Sequence, residues 1–91
     1  MNKIKLSPHF RRESRKILKK GIIKRKQLEK VLEKISKNPF EKSLRTHKVS
    51  AEYIDPAYSS YISGEYRIIW DLNSDKTITL HSIGTHKKVY K

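Results

Sequence analysis

Cysteine is absent from this chain, so no disulfide can staple it and no thiolate can hold a metal. With the disulfide-built secreted scaffolds set aside, the cytoplasm is the expected compartment. Long apolar runs are missing too. No stretch approaches the roughly 20 apolar residues that cross a bilayer, and no apolar run follows the lysines of "MNKIKLSPHF" as it would in an export signal. Nor is there a Gly-rich phosphate loop, an HExxH pair or a cluster of carboxylates, which disfavours metal-dependent and nucleotide-driven chemistry. No metal and no cofactor are expected. Acidic residues are few, nine Asp and Glu against 22 Lys and Arg, and the net charge is +13.

What is present fits one domain, 1–91. Ninety-one residues enclose a single small core, so any site must be built on that core. Hydrophobic residues make up 35% and charged residues 34%, polar for a folded protein yet with periodic apolar runs to bury. The positive charge is confined to the front. Residues 1–48 hold 17 Lys and Arg against 4 Asp and Glu, while residues 49–91 hold 5 of each. A polyanion met by the first half is the expected partner, either nucleic acid or an acidic protein segment. The plainer reading of that charge is a solvated lysine-rich face.

"KIKL" at 3–6 suits a short strand, and "SP" after it suits Ser7 as N-cap and Pro8 at the first helical position. A helix to about Lys20 follows, with Phe10, Ser14, Ile17 and Leu18 on one side and Gly21 to end it. "IIKRKQLEKVLEKISKNP" carries Ile23, Leu28, Val31, Leu32 and Ile35 at amphipathic spacing and is stopped by Asn38-Pro39, which completes a helical hairpin. Residues 40–56 lose periodicity and read as a loop carrying Arg45, His47 and Lys48. "AYSSYIS", a turn at Ser63-Gly64, "EYRIIWDL" and "TITLHSIG" then supply three strands. Tyr66, Ile68, Trp70 and Leu72 share one face of their strand, and Glu65, Arg67, Ile69 and Asp71 share the other. For Ile78 and Leu80 to join Trp70 over the helices, Trp70 must pair with Leu80 and Arg67 with Ile83. The expected architecture is α+β, in the order β-α-α-β-β-β. A helical hairpin packs on one face of a small antiparallel sheet, and a polar face stays open.

Chemistry has few bearers here: His9, His47, His81, His86, Arg67 within a strand, Glu65 beside it and Tyr90 near the end. Each alone has a plainer explanation, such as a salt-bridged strand arginine, a half-buried strand histidine or a packing tyrosine. The combination is more telling. "SGEYRIIWDL" and "ITLHSIGTHKKVY", in that order behind a helical hairpin in a small basic domain, resemble the RelE/ParE toxin superfamily. The "IGTH" ending is most like its YafQ branch.

That resemblance implies a RelE-like fold and a ribosome-dependent messenger-RNA endonuclease, partnered by a neutralising antitoxin and acting without a metal. It implies attack of the ribose 2′-OH on the adjacent phosphate. Arg67 matches the strand arginine that contacts the scissile phosphate, and His86 the catalytic histidine after "GT". His47 matches the loop histidine, Glu65 falls where the branch has an aspartate, and Tyr90 matches the aromatic near the C-terminus. Arg45, Lys48, Tyr61, Lys87 and Lys88 complete the expected RNA contacts. Two departures leave the general base open: Tyr61 stands where the branch has a second histidine, and Ser59 and Ser60 where RelE has part of a lysine pair. The rival readings are a ParE-like toxin acting on DNA gyrase by protein contact and a basic RNA-binding domain without catalysis. Cleavage of ribosome-bound message against gyrase-dependent DNA cleavage separates the first, and RNA binding without a cleaved product marks the second.

Overall fold

The computed structural model describes residues 2–51 and 54–85. Along the chain run β1 (Ile4–Leu6), α1 (Pro8–Lys19), α2 (Arg25–Lys37), a 3-10 turn (Lys42–Leu44), β2 (His47–Ala51), β3 (Ile54–Ser63), β4 (Tyr66–Leu72) and β5 (Ile78–Thr85). The strands form one sheet in the order β1-β5-β4-β3-β2, with both helices on one face. The α+β class is the expected one, but the sheet departs from the expected sheet in two ways. It is mixed, because β1 runs parallel to β5 and pairs Ile4 with Ile78 and Leu6 with Leu80. It also has a fifth strand, β2, inside the stretch that reads as a loop. β2 lies at the edge and is paired only through β3, so it needs no regular alternation to hold its place.

Ser7 joins β1 to α1. Its oxygen accepts from the Phe10 amide at 3.0 Å, the N-cap bond expected of a serine before Pro8. Its hydroxyl donates to the His81 carbonyl at 2.9 Å and so ties the helix start to β5. Ser7→Ala is expected to lower stability by about 1–2 kcal/mol in urea unfolding, the upper range for a lost cap. At the far end Gly21, at φ 72°, donates to the Leu18 carbonyl and lets Ile22 reach the Ile17 carbonyl. A β-carbon would strain that closure. α2 begins only at Arg25, although Ile23 before it is buried. α1 packs chiefly on β5, whereas α2 touches β3 and the 3-10 turn.

Between helices and sheet lies a core that includes Phe10, Ile35, Ile68, Ile78 and Leu80 around Trp70, which is 0% exposed. The alternation with Ile68 predicts that placement. The indole stacks on Tyr58, with ring centroids 4.8 Å apart, and meets Phe40 edge-on at 5.8 Å. Leu72 continues the same alternation yet is 40% exposed, at the end of β4. Leu72→Lys is expected to leave the unfolding free energy within about 0.5 kcal/mol of wild type in a denaturant titration.

Register brings the site residues together with one correction. Trp70 pairs with Leu80 as expected, but Arg67 pairs with Gly84 and not with Ile83. A β-bulge between Ile69 and Trp70 places His81 as an extra residue on β5. Strict alternation from Leu80 would turn Ile83 to the open face; the extra residue returns it to the core opposite Ile68, where it is 2% exposed. Burying that side chain gains about 1.5–3 kcal/mol, more than the roughly 0.5–1.5 kcal/mol of a disturbed ladder bond. β5 also continues through Gly84 to Thr85, opposite Tyr66.

Candidate active site

The sheet face turned away from the helices carries the candidate chemistry. One row across it runs His47, Ser59, Ile69 and Ser82, and the next holds Tyr61, Arg67 and Gly84. Paired side chains start about 4.5–5.5 Å apart, so Tyr61 flanks Arg67 on one side, and the buried Gly84 is its partner on the other. His47 stands diagonally across β3. This face is less polar than expected, since Ala57, Ser59 and Ile69 are buried on it, apart from the main core. Charges above such a dry floor interact more strongly than in bulk water.

Arg45 reaches the face from the 3-10 turn, which it closes in a left-handed conformation at φ 49°. Its guanidinium carbon lies 5.1 Å from the centre of the Tyr61 ring, a cation–π contact. The Tyr61 hydroxyl accepts from the Gly64 amide at 3.1 Å, so the ring is fixed at its outer end as well. Tyr61 is thus a platform for Arg45. Glu41 secures the turn by accepting from the Ser43 amide at 3.0 Å. The Ser43 hydroxyl bond, with Lys34 nearby, holds its carboxyl below the usual carboxylate range. A lowered carboxylate pKa means the anchoring is complete above the ordinary value and lost as pH falls through the folded one.

His47 Nδ1 lies 3.1 Å from the Arg45 carbonyl oxygen, and the ring is otherwise exposed. Arg67 is half-buried in the middle of the sheet and, among the described residues, has no ion pair. Glu65 is exposed at the hairpin tip, after Gly64 at φ 56°. Lys48 belongs to the other face, opposite Tyr58. The structure therefore places His47, Tyr61 and Arg67 on one sheet face, with Arg45 against the Tyr61 ring. His86, Lys87, Lys88 and Tyr90 lie outside the described residues, the last described position being Thr85, next to the Gly84 that faces Arg67.

Three features had no signal in the sequence. Thr46 Oγ1 lies 2.6 Å from the buried Ser60 Oγ, which itself accepts from Trp70 Nε1 at 2.8 Å. Asp71 and the bulged His81 sit at ion-pair distance, 3.2 Å, without hydrogen-bond alignment. They lie four residues along β4 from Arg67, about 13 Å at the rise of a strand. Glu13 is buried on α1, paired with Lys16 at 3.3 Å, and lines a cleft of about 90 Å³ with Tyr66, Ile83 and Gly84. Among the described residues no three His, Asp or Glu side chains converge as a metal site would need.

A family model described as the bacterial toxin of type II toxin-antitoxin systems, YafQ, matches residues 2–91. No curated protein matches the sequence. Among solved structures, the Escherichia coli DinJ–YafQ complex contains a chain superposing with a TM-score of 0.79 at 16% identity, over 100% of each chain. A metal-bound toxin from Helicobacter pylori gives 0.78 at 20% identity, over 97% of this chain and 98% of that one. The YoeB dimer from Staphylococcus aureus gives 0.74 at 21%, over 93% and 97%. Identities this low speak to the fold; the family match speaks to the sequence.

Proposed function

The chain belongs to the YafQ family of bacterial type II toxin-antitoxin toxins, and from that premise we propose that it is a ribosome-dependent messenger-RNA endoribonuclease of the cytoplasm, restrained by a cognate antitoxin. The observation that carries the reading is the placement of His47, Tyr61 and Arg67 on one sheet face, with Arg45 against the Tyr61 ring. In-line attack by a ribose 2′-OH needs a base for that proton, an acid for the leaving oxygen and cations for the charge growing on the phosphoryl oxygens. His47 takes the proton as O2′ bonds to phosphorus. The bond from phosphorus to the 5′-oxygen breaks, and His86 protonates that oxygen, leaving a 2′,3′-cyclic phosphate and a 5′-hydroxyl. Arg67 stabilises the phosphoryl oxygens and Arg45 meets a neighbouring phosphate. Glu65 is the carboxylate available to hold an imidazole in its charged form. Lys87, Lys88 and Tyr90 follow His86 in sequence and serve as message contacts, while Lys48 and the basic helices meet ribosomal phosphates.

The test is single-turnover cleavage of programmed ribosomes in excess chelator. His86→Ala is expected to cleave about 10²–10⁴-fold more slowly than wild type. Full activity in that variant, or loss of wild-type activity in chelator, would overturn the mechanism. If the basic half makes 6–10 phosphate contacts, ribosome affinity falls about 10³-fold or more between 50 and 200 mM salt. Structural relatives are found in the DinJ–YafQ and YoeB–YefM complexes, and the antitoxin of this chain is expected to cover the basic helical side and the open sheet face with an acidic, largely helical or extended segment.

A further inference from the structure

A directed chain of hydrogen bonds runs from the core to the start of β2. Trp70 Nε1 donates to Ser60 Oγ at 2.8 Å, Ser60 Oγ and Thr46 Oγ1 lie 2.6 Å apart, and Thr46 Oγ1 donates to the Pro39 carbonyl at 2.5 Å. An indole nitrogen only donates and a carbonyl only accepts. The single hydroxyl proton of Thr46 goes to Pro39, so the Ser60 proton must go to Thr46. No group in the chain is free to reverse, and successive bonds of this kind strengthen one another in a dry interior.

Thr46 stands between Arg45 and His47, and the same logic fixes the ring beside it. A carbonyl only accepts, so in the neutral ring the 3.1 Å contact of His47 Nδ1 with the Arg45 carbonyl puts the hydrogen on Nδ1 and leaves the lone pair on Nε2. The bond depends on Arg45 holding φ 49°, a conformation uncommon for a residue with a β-carbon. Pinning Thr46 to the core on one side and to Pro39 on the other holds that kink in place.

We infer that Trp70, Ser60 and Thr46 are positioning residues that keep His47 in its Nδ1–H tautomer and present Nε2 as the general base. Nε2 takes the 2′-OH proton, and the resulting imidazolium keeps its Nδ1–H on the Arg45 carbonyl, whose negative end stabilises the new charge. The identity of the proton donor rests on the ribonuclease reading; the tautomer does not.

Nitrogen-15 NMR of the free, histidine-labelled protein tests this, with His47→Gln to assign the signal. Wild type is expected to show the Nδ1–H pattern at neutral pH. Thr46→Val, which keeps the shape and loses the hydroxyl, is expected to move His47 toward the Nε2–H form. It should also slow single-turnover cleavage at saturating ribosomes about tenfold, with the half-saturating concentration unchanged. Thr46→Ser restores both. An Nε2–H ring in wild type, a Thr46→Val variant matching wild type in spectrum and rate, or a Thr46→Ser variant as slow as Thr46→Val would each overturn the inference. The wild-type spectrum decides the matter even if Thr46→Val does not fold. A wild type that shows the Nδ1–H ring yet cleaves no message refutes the ribonuclease reading and leaves the positioning supported.

Discussion

Arg67→Ala is expected to slow single-turnover cleavage of programmed ribosomes about 10²–10³-fold, the usual loss when one preorganised donor to a developing oxyanion is removed. Ribosome affinity should change little, because phosphate contacts made by the basic half position the protein without taking part in the reaction. The size of the effect follows from where Arg67 stands. β4 is paired on both sides, so the backbone under the guanidinium cannot drift. No carboxylate among the described residues neutralises the charge in advance. Arg67→Lys keeps the charge but loses the planar fork, and an intermediate rate is expected. A wild-type rate in Arg67→Ala, or a variant defective only in binding, would remove Arg67 from the reaction.

Trp70→Ala is expected to destabilise the fold by about 3–5 kcal/mol. A domain of this size has about 5–15 kcal/mol to lose, and each kcal/mol shifts the melting temperature by about 4–8 °C, so scanning calorimetry will register the change plainly. The indole is fully buried, stacks on Tyr58 and satisfies Ser60, and alanine removes all three contributions at once. Trp70→Phe separates them. It keeps most of the packing and removes the Nε1 donor, with an expected loss of about 1–3 kcal/mol for the broken buried bond. A melting temperature unchanged in Trp70→Ala would contradict the placement of Trp70 in the core.

Much of this arrangement was legible from periodicity. The capping of α1 by Ser7, the closure at Gly21, the Ser63-Gly64 hairpin and the pairing of Trp70 with Leu80 all follow from local rules acting on short segments. What escaped is non-local or lies at an edge. β1 carries no mark of parallel pairing, because that choice is made by β5, some seventy residues further on. β2 is short and paired on one side only, so "HKVSA" has no need of an alternating pattern. The bulge at His81 was hidden for another reason: both registers bury Leu80, and only the gain from burying Ile83 selects between them. The same holds for the site. Arg67 and its nearness to the Gly84 that begins "GTH" were legible because a strand fixes them. The Arg45–Tyr61 contact and the Thr46–Ser60 bond were not, since they depend on a left-handed turn before β2.

The parallel pairing of β1 with β5 also sets a clock. Synthesis proceeds from β1 toward β5, and 74 residues separate Ile4 from its partner Ile78. At about 5–20 residues per second, β1 waits roughly 4–15 s for the strand that completes its place in the sheet. Over that interval Ile78, Leu80 and Ile83 are missing from the core, and Arg67 has no strand on its Gly84 side. The sheet of this fold therefore stays incomplete until β5 has been made. Only when β5 docks does Arg67 gain its second neighbouring strand.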